Sequence, residues 1–160
     1  MAALDAARAA GSFSEFHIYG DKHLQQVNRA PLAGRPWAVF HPRMSHDESM
    51  EALSRCDWLL LTLADTPNTR ATLHAKLPHY LALGKPILAL VPGDSAVADV
   101  IRETGTGWIL PDERAWAEGL IDLLASRPSN GSMPRRNEDA IRRYSWARVS
   151  SLWRASILGE

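Results

Sequence analysis

Trp58-Leu59-Leu60-Leu61-Thr62-Leu63 and, further along, Ile87-Leu88-Ala89-Leu90-Val91 are two apolar runs that do not alternate with polar residues. A strand with one wet face alternates, whereas a strand covered on both faces is apolar throughout. Each run therefore reads as a buried strand of a parallel sheet, the first as a central one. Between them Asp65-Thr66-Pro67-Asn68-Thr69 is dense in turn formers. Residues 77–83 are helical in pattern, with Pro78 tolerable only in the first turn and Gly84-Lys85-Pro86 as the stop. Strand, helix and strand make one crossover unit, and that unit sets the fold class.

The same alternation extends both ways. Upstream, residues 4–10 are alanine-rich and helix-prone before Gly11, and 16–19 form a short strand that ends at Gly20-Asp21. Residues 22–36, carrying Pro31, Gly34 and Pro36, read as a loop with one helical turn, and 37–40 as a second strand. Ser45 stands three residues before Glu48, the spacing of a capping box, and predicts a helix over 46–56. Downstream, Pro92-Gly93-Asp94 leads into a helix over 95–104. A last strand is expected at 108–110, and an amphipathic helix at 113–126. A loop with Pro128, Gly131 and Pro134 precedes one continuous helix over 138–158. Ile141, Tyr144, Arg148 and Leu152 share one of its faces; Trp146, Val149, Trp153 and Ile157 share the next. The expected fold is α/β, a Rossmann-like three-layer parallel sheet flanked by helices. Residues 1–130 form its domain, and 131–160 a linker and basic amphipathic helix that packs on or beyond it.

A chain of 160 residues can bury one core of ordinary size without disulfides or a structural metal. Lysine and arginine total 18, as do aspartate and glutamate, so no net charge points to nucleic acid or an anionic membrane. Residues 135–154 are locally basic, with six arginines against Glu138 and Asp139. Cys56 is the single cysteine, which excludes an intrachain disulfide and a cysteine zinc site and fits a reducing, cytoplasmic setting. Asp5 and Arg8 interrupt what would be the apolar core of a signal peptide. The longest apolar runs fall far short of the ~20 residues that span a bilayer. His41, His46 and Cys56 are not spaced as a ligand set, so no metal is expected. No G-x-G-x-x-G follows the first strand, which argues against a dinucleotide cofactor, and the serines lack a nucleophile-elbow context.

Lys76-Leu77-Pro78-His79-Tyr80-Leu81-Ala82-Leu83-Gly84-Lys85-Pro86-Ile87 resembles the K-L-x-E-Y-L-A-x-G-K-P-V segment on the nucleotide-binding helix of GT-B glycosyltransferases of the family-4 type. Residues 51–60 are similar to that family's hydrophobic helix and A-D-V-x-L step. Gly105-Thr106-Gly107-Trp108-Ile109-Leu110-Pro111 resembles its x-x-G-x-x-V turn and strand, and Tyr144-Ser145-Trp146 its F-S-W opening of the last helix. The resemblance runs from about Phe16 to Leu158. It implies a single GT-B half, the C-terminal donor-binding one, with a C-terminal crossover helix and a UDP- or GDP-sugar as donor.

The resemblance also implies where the donor lies. Its diphosphate sits near the loop before Leu77, where Lys76, Arg70, Thr72 and His74 become candidate ligands. A helix N-terminus there adds backbone donors and a partial positive charge. The ribose rests against His79, and the base near Gly20, Asp21, His41 and Met44. Two positions depart from the family pattern, because His79 and Ala71 stand where most members carry glutamates. An imidazole accepts one hydrogen bond and donates another, so His79 either still holds a ribose or is a helix histidine that faces solvent or packs against Tyr80. Solvated charge is the competing reading of Lys76 and Arg70, and strand capping that of His41.

A GT-B enzyme needs two Rossmann-like domains, so the chain is expected to be a truncated half or to find its N-terminal acceptor half on another polypeptide, and to transfer nothing alone. No resident cofactor is expected, only the nucleotide-sugar substrate, and no catalytic residue is assigned. Two other readings stay open. One is a non-catalytic flavodoxin-like interaction module or inactive glycosyltransferase relative. The other is a peripheral contact of the tail with the inner membrane face, since Arg142, Arg143, Arg148 and Arg154 interleave with Trp146 and Trp153.

Overall fold

The computed structural model describes residues 2–20, 31–125, 135–145 and 147–148. The chain divides into two compact units, Met1–Ala52 with Glu113–Arg127 and Leu53–Asp112 with Pro128–Glu160.

In the first unit, α1 (Ala2–Ala9) buries Ala3, Leu4 and Ala7, the spacing of one helical face, and packs against α6 (Glu113–Ala125), which buries Leu120 and Leu124. β1 (Phe16–Tyr19) and β2 (Ala38–His41) pair in parallel, with Phe16 opposite Ala38 and Tyr19 opposite His41. Trp37 is buried, with the ring of Phe13 edge-on at 5.4 Å. Arg35 forks onto both carboxylate oxygens of Asp5, at 2.7 and 2.6 Å, tying the approach to β2 back to α1. α2 (His46–Ser54) begins with the expected capping box: the Glu48 N–H donates to Ser45 Oγ at 3.3 Å, and the Ser45 N–H to Glu48 Oε2 at 2.8 Å. The Ser45 hydroxyl, donating to Glu48 Oε2 at 2.7 Å, and then the Ser45 N–H hold the Glu48 carboxyl below its usual range.

In the second unit, β3 (Leu59–Thr62), β4 (Ile87–Leu90) and β5 (Gly107–Leu110) form a parallel sheet in the order β3-β4-β5. Here the central place belongs to β4, whose Ile87, Leu88 and Ala89 are buried. β3 instead alternates, with Leu59 and Leu61 buried and Thr62 exposed. An unbroken apolar run signals burial without revealing which strand has a neighbour on each side. α3 (Pro67–Ala71) and α4 (Leu77–Leu83) lead from β3 to β4, and α5 (Ala96–Thr104) from β4 to β5. α7 (Glu138–Arg143) packs on α5. Leu61, Leu77, Leu81, Ile87, Val97, Ile101 and Ile141 share one core.

Two further expectations are corrected. Where only a turn was expected, α3 forms, because Thr66 accepts from the Thr69 N–H at 3.2 Å and Thr69 Oγ1 accepts from the Thr66 N–H at 3.0 Å, while Pro67 supplies a preset φ. The single helix over 138–158 does not run through: Tyr144 and Ser145 leave helical geometry, and Ser145 Oγ accepts the Arg148 N–H at 3.2 Å, the bond of a new helix start. Residues 149–158 lie outside the described residues. The fold is α/β, with parallel sheets flanked by helices, and no described helix is long and apolar enough to cross a membrane.

Candidate functional site

In the second unit the chain leaves β3 at its carboxyl end and returns to β4 at its amino end. Residues 63–76 and 91–95 therefore occupy the sheet edge where open α/β folds bind ligands. Four of the diphosphate candidates lie on the first of these loops. Lys76 is the N-cap residue of α4 and is exposed. His74 Nδ1 accepts the Lys76 N–H at 3.2 Å, and the His74 carbonyl accepts the Leu77 N–H at 2.9 Å. Partial burial, and then the neighbouring Lys76 charge, push His74 below the ordinary imidazole range, and its two bonds shape the loop before α4.

This local bonding revises the physical basis expected for anion binding. With the Leu77 N–H already given to His74 and Pro78 having none, the amino end of α4 offers little backbone donation. The Lys76 ammonium stands exposed at that end.

Arg70 and Thr72 are engaged in internal bonds. Thr72 Oγ1 donates to the Asn68 carbonyl at 2.7 Å. Arg70 forks onto Asp65, Nε to Oδ1 at 2.7 Å and Nη2 to Oδ2 at 2.9 Å, while Nη1 donates to Asp94. The Arg70 hydrogen bonds hold the Asp65 carboxyl below its usual range, and Asp65 in turn raises Arg70. Sequence reading missed both carboxylates. Asp65 lies five residues before Arg70 and was absorbed into a turn signal, and Asp94 reaches it only because β3 and β4 are neighbours. His79 lies two residues into α4 and is half-buried, and the adjacent Tyr80 hydroxyl donates to the Leu60 carbonyl at 3.3 Å. A cleft of about 510 Å³ lined by Glu103, Arg135, Arg136, Asn137, Glu138 and Asp139 contains none of the candidates.

The expected base contacts belong to the first unit. Gly20 donates its N–H to the His41 carbonyl at 3.3 Å, so it prolongs the β1–β2 ladder. His41, expected in a turn, is the last residue of β2. Its Nε2 lies 2.8 Å from His17 Nδ1, and its ring stacks on Tyr19 with centroids 4.5 Å apart. His17 Nε2 also lies 3.1 Å from Glu15. Met44 follows in the loop after β2 and is half-buried; Asp21 lies outside the described residues.

In the second unit, polar side chains stand on the loops that follow parallel strands. No curated protein matches the chain. The family described as glycosyl transferases group 1 matches residues 1–126. A match over that share of 160 residues makes this chain a member of the group 1 glycosyl transferases, with the parallel α/β architecture of a GT-B half.

Proposed function

We propose that the chain is the donor-binding, C-terminal half of a hexosyltransferase, taking a UDP- or GDP-sugar for assembly of a polysaccharide or glycoconjugate. It would work with an N-terminal acceptor domain in cis or in trans, in the cytoplasm or at the inner membrane face. The observation that carries this reading is an exposed lysine, Lys76, on the carboxyl-edge loop of a chain that belongs to a sugar-transferring family. Lys76 holds the diphosphate as a point charge, Thr72 and His74 shape the loop around it, and His79 stands beside the ribose. Gly20, His41 and Met44 stand beside the base. Transfer itself needs groups from the acceptor half.

Calorimetric titration with UDP, GDP and their sugars tests this. The chain binds at least one of them, and Lys76→Ala weakens that binding about tenfold, as loss of a charge-assisted hydrogen bond would, with the melting temperature unchanged. Absence of heat with every nucleotide would reject the reading. It would favour a non-catalytic relative, to which the internal pairing of Arg70 and the missing glutamates at Ala71 and His79 also point.

A further inference from the structure

Arg70 sits between two carboxylates that come from different loops. Asp65 follows β3, and Asp94 lies in the turn after β4. The segment carrying Arg70 is itself pinned. Thr66 and Thr69 cap α3 reciprocally, Thr69 Oγ1 donates back to the Ala64 carbonyl, and Thr72 closes the far end on Asn68. These bonds tie down the segment's backbone, while the Arg70 side chain keeps its own rotations. All three side chains are well exposed, at 42% for Arg70, 62% for Asp65 and 67% for Asp94, so water and ions reach the cluster and its bonds are exchangeable.

We infer that Asp65 and Asp94 act as a clasp that keeps Arg70 from an incoming phosphate, and that Asp94 is the residue that sets how strongly this edge holds an anion. The inference rests on the donor-binding reading. The Asp65 fork is bidentate and local, five residues away in sequence, and defines the resting direction of Arg70. Asp94 holds one Nη1 donor with a single oxygen. A phosphate at Lys76 competes for that donor, and the competition costs affinity for as long as Asp94 is charged. The clasp discriminates by ligand charge: it lowers affinity for phosphate-bearing ligands and leaves a bare nucleoside unaffected.

The test measures binding of UDP, GDP, inorganic pyrophosphate, uridine and guanosine to the full chain carrying Asp94→Asn, Asp94→Glu, or Asp94→Asn with Arg70→Ala. The expected result is that Asp94→Asn tightens UDP or GDP and pyrophosphate about three- to fivefold, the scale of one exposed ion pair. Nucleoside binding does not move, Asp94→Glu stays at the wild-type value, and Arg70→Ala abolishes the gain. Unchanged or weaker anion binding by Asp94→Asn, in a chain whose wild type does bind nucleotide, would overturn the clasp and leave the donor site standing. A gain that survives Arg70→Ala would also overturn it, because the carboxylate would then act as a plain repelling charge. If neither wild type nor variant binds any phosphate-bearing ligand, the donor-site reading falls, and the clasp with it.

Discussion

Gly107 leaves no room for a side chain, since a Cβ there would lie 2.0 Å from the carbonyl oxygen of Ile87 on the neighbouring strand. The motif reading singled out this glycine for its place in a loop-to-strand turn, and the structure gives the reason for it: two backbones in van der Waals contact. Gly107→Ala must push β5 away from β4, and we expect a loss of about 2–4 kcal/mol in urea unfolding. Lys76 shows the opposite relation of residue to surroundings. The role proposed for it requires an exposed ammonium, so replacing it is expected to change ligand affinity and to leave stability alone. The candidate site was legible as residue types at this scale, but the partners of those residues were not. Arg70 reads the same in sequence whether or not Asp94 stands against it, because that contact exists only once two strands have paired.

At the scale of elements, caps decide where helices begin. Ser95 is fully buried, accepts the Ala98 N–H at 3.2 Å and donates to the Pro92 carbonyl at 2.7 Å, so one hydroxyl both starts α5 and closes the turn before it. Ser95→Ala leaves that amide without its partner in a dry setting, and thermal or denaturant unfolding should record a loss of about 1–2 kcal/mol. Asn137 does the same for α7, accepting the Ala140 N–H at 3.1 Å while giving its own N–H to the Thr104 carbonyl at 2.9 Å. α7 is further tied to α5 by Glu103, which accepts from the Tyr144 hydroxyl and from Arg143. Those bonds, the tyrosine's first, hold the Glu103 carboxyl below its ordinary value of 4.5. A carboxyl whose folded value is depressed adds stability above its unfolded value and loses it as the pH falls through the folded one. Glu103→Gln is therefore expected to melt below wild type at neutral pH, with the gap closing as the pH drops below 4.5; a pH series of melting curves checks this.

At the scale of the whole molecule, the second unit depends on β4, where Ile87 is fully buried in the core shared with Leu61, Leu81 and Ile101. Ile87→Ala should cost about 2–5 kcal/mol. The fluorescence of Trp58 and Trp108, whose rings lie 5.3 Å apart in the same unit, is a convenient monitor of the transition. The sequence by itself determined the order of the strands along the chain, the parallel α/β class and the family, because hydrophobic period, Gly and Pro punctuation and capping residues are all local signals. The α4 bounds Leu77–Leu83 follow from Pro78 and Gly84 alone. Only the tertiary structure decided that β4 lies between β3 and β5, that Thr66 and Thr69 turn a loop into a helix, and that the helix after Asn137 breaks at Ser145. It alone showed His74 accepting the Lys76 N–H and Arg70 held by Asp65 and Asp94. These are questions of which group meets which across the fold, and composition and spacing carry no information about a neighbour that arrives from another loop.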